Sequence, residues 1–229
     1  MTDLSSLHII YKHTDLWIKA DGELDRCHVE GHLRQVYDQI EAYAASEGSF
    51  LSSLHPLDVP ETAPEVIRRM ARYARLAGVG PMAGVAGAVA DFVGEGLSEG
   101  HRRIICNNGG DIFYRSPEKQ GFFLSAPGSP FHGKVCMYAP PAAGKGLCTS
   151  SGIVGHSVNM GRAYAVTVLA ENACLADVWA TAVSNRIGSH ADMDRVLAWC
   201  AHVEGIEGVV ILVDHYLGVW GAIELSGDQ

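Results

Sequence analysis

Between residues 80 and 91 the chain reads Gly-Pro-Met-Ala-Gly-Val-Ala-Gly-Ala-Val-Ala-Asp, a stretch with almost no side-chain bulk. Pro81 suits the first turn of a helix, which the pattern carries through Ala90 toward Gly94. A glycine inside a helix costs about 1 kcal/mol relative to alanine, so Gly84 and Gly87 need a compensating reason. Either this helix packs closely on a sheet, or its backbone approaches a bound ligand. The sequence leaves the two readings level.

Around this helix the pattern divides. Residues 7–19 alternate as a strand, with Gly22 marking a turn. From Glu30 to Ala45, Leu33, Val36, Tyr37, Ile40 and Tyr43 recur at helical spacing. A connector holding Pro56, Pro60 and Pro64 precedes a helix through Arg75 that Gly78 and Gly80 end. Residues 104–106, 111–115, 121–125 and 133–139 are short, β-branched or aromatic, and separated by Gly and Pro, which predicts an antiparallel sheet. Residues 163–169 form an apolar strand feeding a helix that Gly188 ends. Ser189 with Asp192 then resembles a capping box for a helix to His202. Residues 208–213 and 218–225 read as a hairpin across residues 214–217. Helices and neighbouring strands mix without a βαβ rhythm, so the expected class is α+β.

At 229 residues the chain suits one domain, or two lobes (about 1–100 and 101–229) sharing a core. A net charge of −9 without any basic cluster argues against nucleic acid and anionic membrane as partners. No signal peptide and no apolar run of about 20 residues is visible, so a soluble cytoplasmic protein is expected. The six cysteines are scattered with no Cys-x-x-Cys pair, which reads as buried free thiols.

Chemistry concentrates in three stretches: Asn107-Asn108-Gly109-Gly110-Asp111, Cys148-Thr149-Ser150-Ser151-Gly152, and Ala176-Asp177-Val178-Trp179-Ala180-Thr181. The first two read as loops, and Asp177 and Thr181 share one face of a helix. Carboxylate, hydroxyl and exposed backbone suit a hard cation or a phosphate. Two phosphate motifs fail. Gly78-Val79-Gly80-Pro81-Met82-Ala83 follows a helical segment rather than a strand, and Gly144-Lys145-Gly146 lacks the rest of a P-loop. His28 and His32 have an i, i+4 spacing that could ligate zinc, but with no third convergent ligand they read as a partly exposed helix face. Cys148 would need a nearby cation such as Lys145 to become reactive.

In order and type, the small-residue helix, the Gly109-Gly110-Asp111 turn, Thr149-Ser150-Ser151-Gly152 and the Ala176-to-Thr181 helix resemble the ApbE-like flavin transferase superfamily. The resemblance spans roughly residues 80–190. It is closest to a short branch sharing Gly-Pro-Met-Ala, Cys-Thr-Ser-Ser-Gly and Gly-His-Ser stretches. It implies an ApbE-like (T-fold-like) architecture and a protein that uses Mg²⁺ to transfer FMN from FAD onto a hydroxyl, releasing AMP. The same resemblance implies Asp177 and Thr181 as metal ligands, together with a backbone carbonyl near Val85 or Ala86. Gly84, Gly87, Asn108, Gly109, Gly110, Asp111, Thr149, Ser150, Ser151 and Gly152 would line the FAD or FMN site. The implied partners are a flavin nucleotide and either a protein acceptor or a second copy of the chain.

Two departures stand out. Ala86 occupies the place of a lysine in those transferases, and their His-Ile-Ile-Asp-Pro segment has no counterpart between Gly152 and Ala163. His156 is the one histidine left there to act as a base. A flavin carrier or accessory subunit is therefore the alternative to an enzyme. The branch is also associated with sulfur assimilation toward homocysteine.

Overall fold

The computed structural model describes residues 4–153 and 160–227. Strands β1 (Ser5–Tyr11) and β2 (Thr14–Ala20) form a hairpin. Helices α1 (Arg26–Ser46) and α2 (Glu65–Ala77) follow, and a 3-10 turn at Pro81–Gly84 leads into α3 (Val85–Leu97). Then come β3 (Ile104–Asn108), β4 (Asp111–Ser116), β5 (Gln120–Phe123), β6 (Val135–Ala139), β7 (Ala142–Ser150) and β8 (Ala165–Ala170). The chain closes with α4 (Ala173–Ser184), α5 (Met193–Cys200), β9 (Gly208–Val213), β10 (Tyr216–Gly221) and β11 (Glu224–Gly227).

An eight-stranded antiparallel sheet runs in the order β1-β2-β3-β4-β7-β8-β9-β10, and a three-stranded sheet in the order β11-β6-β5. The large sheet is sandwiched. Val166, Val168, Val209 and Ile211 face the helices, while Leu169, Val210 and Leu212 face the small sheet through Leu124, Val135 and Met137. Strands β8 and β9 are buried along their whole length, which explains their unbroken apolar sequence. The α+β class expected from the sequence is the one observed, in three layers: helices, large sheet, small sheet.

Local chemistry sets the element ends. Asp25 caps α1 by accepting from the Cys27 amide at 2.9 Å, and α1 buries Val29, Leu33, Val36 and Ile40. Gly78, at φ 72°, ends α2 in the left-handed conformation. The capping box at Ser189 and Asp192 is formed. Among the described residues no single helix is long and apolar enough to cross a membrane.

Several local expectations change. Residues 7–19 form a hairpin rather than one strand, because Lys12 takes φ 52° in a turn that has no glycine to mark it. Cys148, Thr149 and Ser150 lie on strand β7 rather than in a loop. Gly144 and Gly146 disguise that strand, and the glycine at 146 is required: a Cβ there would stand 2.3 Å from Ala173 Cα. The final hairpin strand breaks at Gly221, φ 85°, and its remainder crosses into the small sheet as β11. Not every thiol is buried, since Cys27 is exposed and Cys136 half-buried.

Candidate active site between two reciprocally capped helices

The small residues of α3 let it meet α4, as well as the sheet, at close range. A Cβ on Gly87 would stand 2.3 Å from the Ala173 carbonyl oxygen, and one on Gly84 2.7 Å from Val178 Cγ1. At that separation each helix supplies the acid that caps the other. Asp177 of α4 accepts from the Gly87 amide at 2.9 Å and from the amide of Ala86. Asp91 of α3 accepts from the amides of Ala173 at 2.7 Å and Cys174 at 2.8 Å. Carboxylates at helix N-termini satisfy orphan amides and meet the positive end of the helix dipole. Close packing accounts for both glycines. The neighbour they admit is chiefly a helix.

The β3–β4 turn brings in a third acid. Gly109 and Gly110 take φ 66° and 113°, forming a two-residue turn between the paired Asn108 and Asp111. Asn107 Oδ1 accepts from the Gly110 amide at 2.9 Å. Asn108 is buried, and its Nδ2 donates to the Ala86 carbonyl at 3.1 Å, which ties the turn to the start of α3. The Asp111 carboxylate accepts from the Thr149 amide and lies beside the Cys148 thiol, which donates to the Ala173 carbonyl at 3.2 Å; Asp111 Oδ1 is buried without a hydrogen-bond partner among the described residues. A buried oxygen without a donor is costly and calls for an explanation.

Charge explains the state of these groups. Burial pushes Asp111 up to about 7, against the pull of the neighbouring Cys148 thiol and the Thr149 amide. Asp177 is held well above the usual carboxylate range, first by burial and next by the negative charge of Asp111. Asp91 has Arg69 at 3.9 Å; among the described residues no such ion pair is formed by Asp111 or Asp177. Thr181, buried one turn beyond Asp177, adds a hydroxyl on the same helix face. The result is an oxygen-rich, cation-poor cluster at the start of α3.

Asp177 with Gly87, Asn108 with Ala86, and Asp111 therefore meet at the start of α3, with Gly109 and Gly110 at the adjoining turn, while Gly84 packs on Val178 and Cys174 and Thr181 lies one turn further along α4. Thr149 is joined through its amide to Asp111, and its hydroxyl lies 2.8 Å from that of Thr167 on β8. Ser150 is buried next along β7, and Ser151 accepts from the Ile153 amide at 3.2 Å. Gly152 bonds to the Ala163 carbonyl at 3.0 Å and lets the chain pass close to Gly161. His156 lies outside the described residues. Cys148 is not activated: burial and the nearby acids hold its thiol well above its ordinary range, and Lys145 pairs with Glu207 instead.

Asp91 is the residue that motif reading passes over. Its signal is positional. Gly84, Gly87 and Asp91 share one helix face, so an acid on the face that packs most closely must find donors there.

Comparison with known proteins agrees with this architecture. A family model described as "AbpE bacteria" matches residues 1–204. A UPF0280 protein of Methanocaldococcus jannaschii is 35% identical over 221 residues, covering 94% of this chain and 90% of that protein. One of Methanosarcina acetivorans is 32% identical over 221 residues, covering 94% and 86%. Among solved structures, the flavin transferase ApbE from Vibrio cholerae superposes with a TM-score of 0.62 at 15% identity, covering 96% of this chain and 97% of that one. The apo flavinyl transferase ApbE of Pseudomonas stutzeri gives 0.60 at 11% identity, covering 95% and 94%. These structures share the fold. With the family model matched from residue 1 to 204 and relatives above 30% identity along most of its length, the chain belongs to the bacterial AbpE family of ApbE-like proteins.

Proposed function

We propose that this chain binds a flavin nucleotide, FAD or FMN, together with Mg²⁺ at the cluster formed by Asp177, Thr181 and Asp111, and acts at the pyrophosphate. The observation that carries this reading is the buried Oδ1 of Asp111 beside Asp177, which has no hydrogen-bond partner among the described residues, in a cluster where no described cation pairs with either acid. A hard divalent ion fits such oxygens. Asp177 bonds to amides yet keeps further lone pairs, as does the Ala86 carbonyl that Asn108 holds in place. Mg²⁺ takes one or two carboxylates and completes its octahedron with water and phosphate oxygens. Among the described residues no group of three or more His, Cys, Asp or Glu is placed to hold a metal, so water and phosphate would have to supply most of the ligands. When bound, the ion would neutralise charge on the pyrophosphate. The Gly109-Gly110 turn, without side chains, would let phosphate approach the backbone, and Asn108 would keep the turn in register with α3.

A second reading, a flavin carrier or accessory subunit, is favoured by one specific feature: Ala86 supplies no cation where the transferases resembled here carry lysine. Incubating tag-free protein with FAD and Mg²⁺, with chromatographic detection of AMP and FMN, separates the two. Release that needs Mg²⁺ and disappears in Asp177→Asn is the expected result. Stoichiometric flavin binding without release selects the carrier, and absence of flavin binding defeats both.

A further inference from the structure

A groove of about 520 Å³ runs between α1, α2 and α3, lined by His32, Gln35, Gln39, Glu65, Glu95 and Gly96. It shares no residue with the site described above. On its rim, His28 and His32 stand one turn apart on α1, with their Nε2 atoms 3.2 Å from each other and their rings at 84°. Two imidazole nitrogens bound to one ion at about 2.0–2.1 Å, with an angle of about 90–110° between them, lie about 2.9–3.4 Å apart. The observed separation falls within that span. The same separation is that of the N–H···N hydrogen bond the pair makes on its own, so a bound ion would replace the shared proton, with the two rings turning about their side-chain torsions to face it.

The fit of His32 against α3 is specific. A Cβ on Gly96 would stand 2.6 Å from His32 Cε1 and 2.7 Å from Nδ1, so the missing side chain at 96 is what seats the ring. Arg69 occupies both acids of the groove, bonding Glu95 at 2.6 Å and Glu65 at 3.0 Å. With both acids engaged by Arg69, the remaining coordination positions fall to water or to a small anionic ligand in the groove.

We propose that His28 and His32 form a two-histidine clamp for one borderline divalent transition ion (zinc, nickel or copper), separate from the oxygen cluster at Asp177. Imidazole favours such ions over magnesium, and the carboxylate and hydroxyl cluster has the opposite preference, so one chain would sort two metals by ligand chemistry.

Equilibrium dialysis of tag-free, chelator-stripped protein against Ni²⁺ or Zn²⁺, with Mg²⁺ in excess, tests this. The expected result is one transition ion per chain. Its affinity should fall about tenfold or more in His28→Ala and in His32→Ala, and persist in Asp177→Asn. His28 is exposed, so His28→Ala should keep the metal-free melting temperature and lose the rise that Ni²⁺ gives the wild type. No bound transition ion, or wild-type affinity in both single histidine variants, overturns the proposal.

Discussion

Asp91→Asn tests whether α3 and α4 are held by each other's acids. Asp91 is fully buried, and each of its oxygens accepts one amide, Ala173 at 2.7 Å and Cys174 at 2.8 Å. Asparagine keeps the shape but offers one acceptor, so one amide at the start of α4 would face a donor. A buried unpaired N–H costs about 1–3 kcal/mol, and losing a negative charge at a helix N-terminus costs about 0.3–2 kcal/mol. Relief from no longer burying that charge offsets these costs at pH 8, where Asp91 is ionised, so the loss is largest where Asp91 is protonated and should reach roughly 1–3 kcal/mol at pH 5.5. The pH dependence gives a sharper test. Burial pushes Asp91 up to about 7, above its value in an unfolded chain, so between those values the folded state binds more protons. Wild-type stability from this group therefore rises as pH falls from 8 to 5.5, by up to about 2 kcal/mol at about 1.4 kcal/mol per unit. Asparagine does not titrate, so the gap between variant and wild type should widen toward pH 5.5. Urea denaturation followed by tryptophan fluorescence at both pH values measures it. A loss below about 0.5 kcal/mol at pH 5.5, or a gap that narrows on acidification, refutes the reasoning.

Gly87→Ala should cost roughly 3 kcal/mol or more, because its Cβ would meet the Ala173 carbonyl at 2.3 Å, whereas Gly109→Ala, open on all sides at φ 66°, should cost about 1–2 kcal/mol from backbone strain alone. Comparative thermal melts would rank them, and equal losses would contradict the packing described for α3. Asn108→Ala should lower stability by about 1–2 kcal/mol by releasing the Ala86 carbonyl, which denaturant titration would show. A thiol reagent should modify exposed Cys27 promptly and half-buried Cys136 more slowly. It should reach Cys106, Cys148, Cys174 and Cys200 only on unfolding, since burial pushes those thiols up; rapid labelling of Cys148 in the folded protein would contradict this.

Features specified by local chemistry were legible in the sequence. Gly78 as a helix stop, the Gly109-Gly110 turn, the Ser189–Asp192 capping box and the shared face of Asp177 and Thr181 each depend on residues a few positions apart. Features set by distant partners were not. Strand β7 looked like a loop because the reason for Gly146 is the start of α4. The turn at Lys12 carries no glycine, so its hairpin read as one strand. The bulk-free helix announced a close neighbour without saying which, and the role of Asp91 became visible only once that neighbour was α4.

Strand order also bears on how the chain assembles. Strands β3 and β4, and β7 and β8, pair with near neighbours in sequence, and β9 joins β8 after two helices, but β2 sits beside β3 only after three helices have intervened, with Ala20 opposite Ile104. Closing that loop of roughly 80 residues costs about 2 kcal/mol more in chain entropy than a ten-residue loop. The β3–β4 and β7–β8 hairpins can form locally, while the β1–β2 hairpin must wait for a partner strand. On the ribosome this reverses the order of manufacture. The first strands made are the last to be seated, and the open edge of β2 needs protection while the helices are being synthesised.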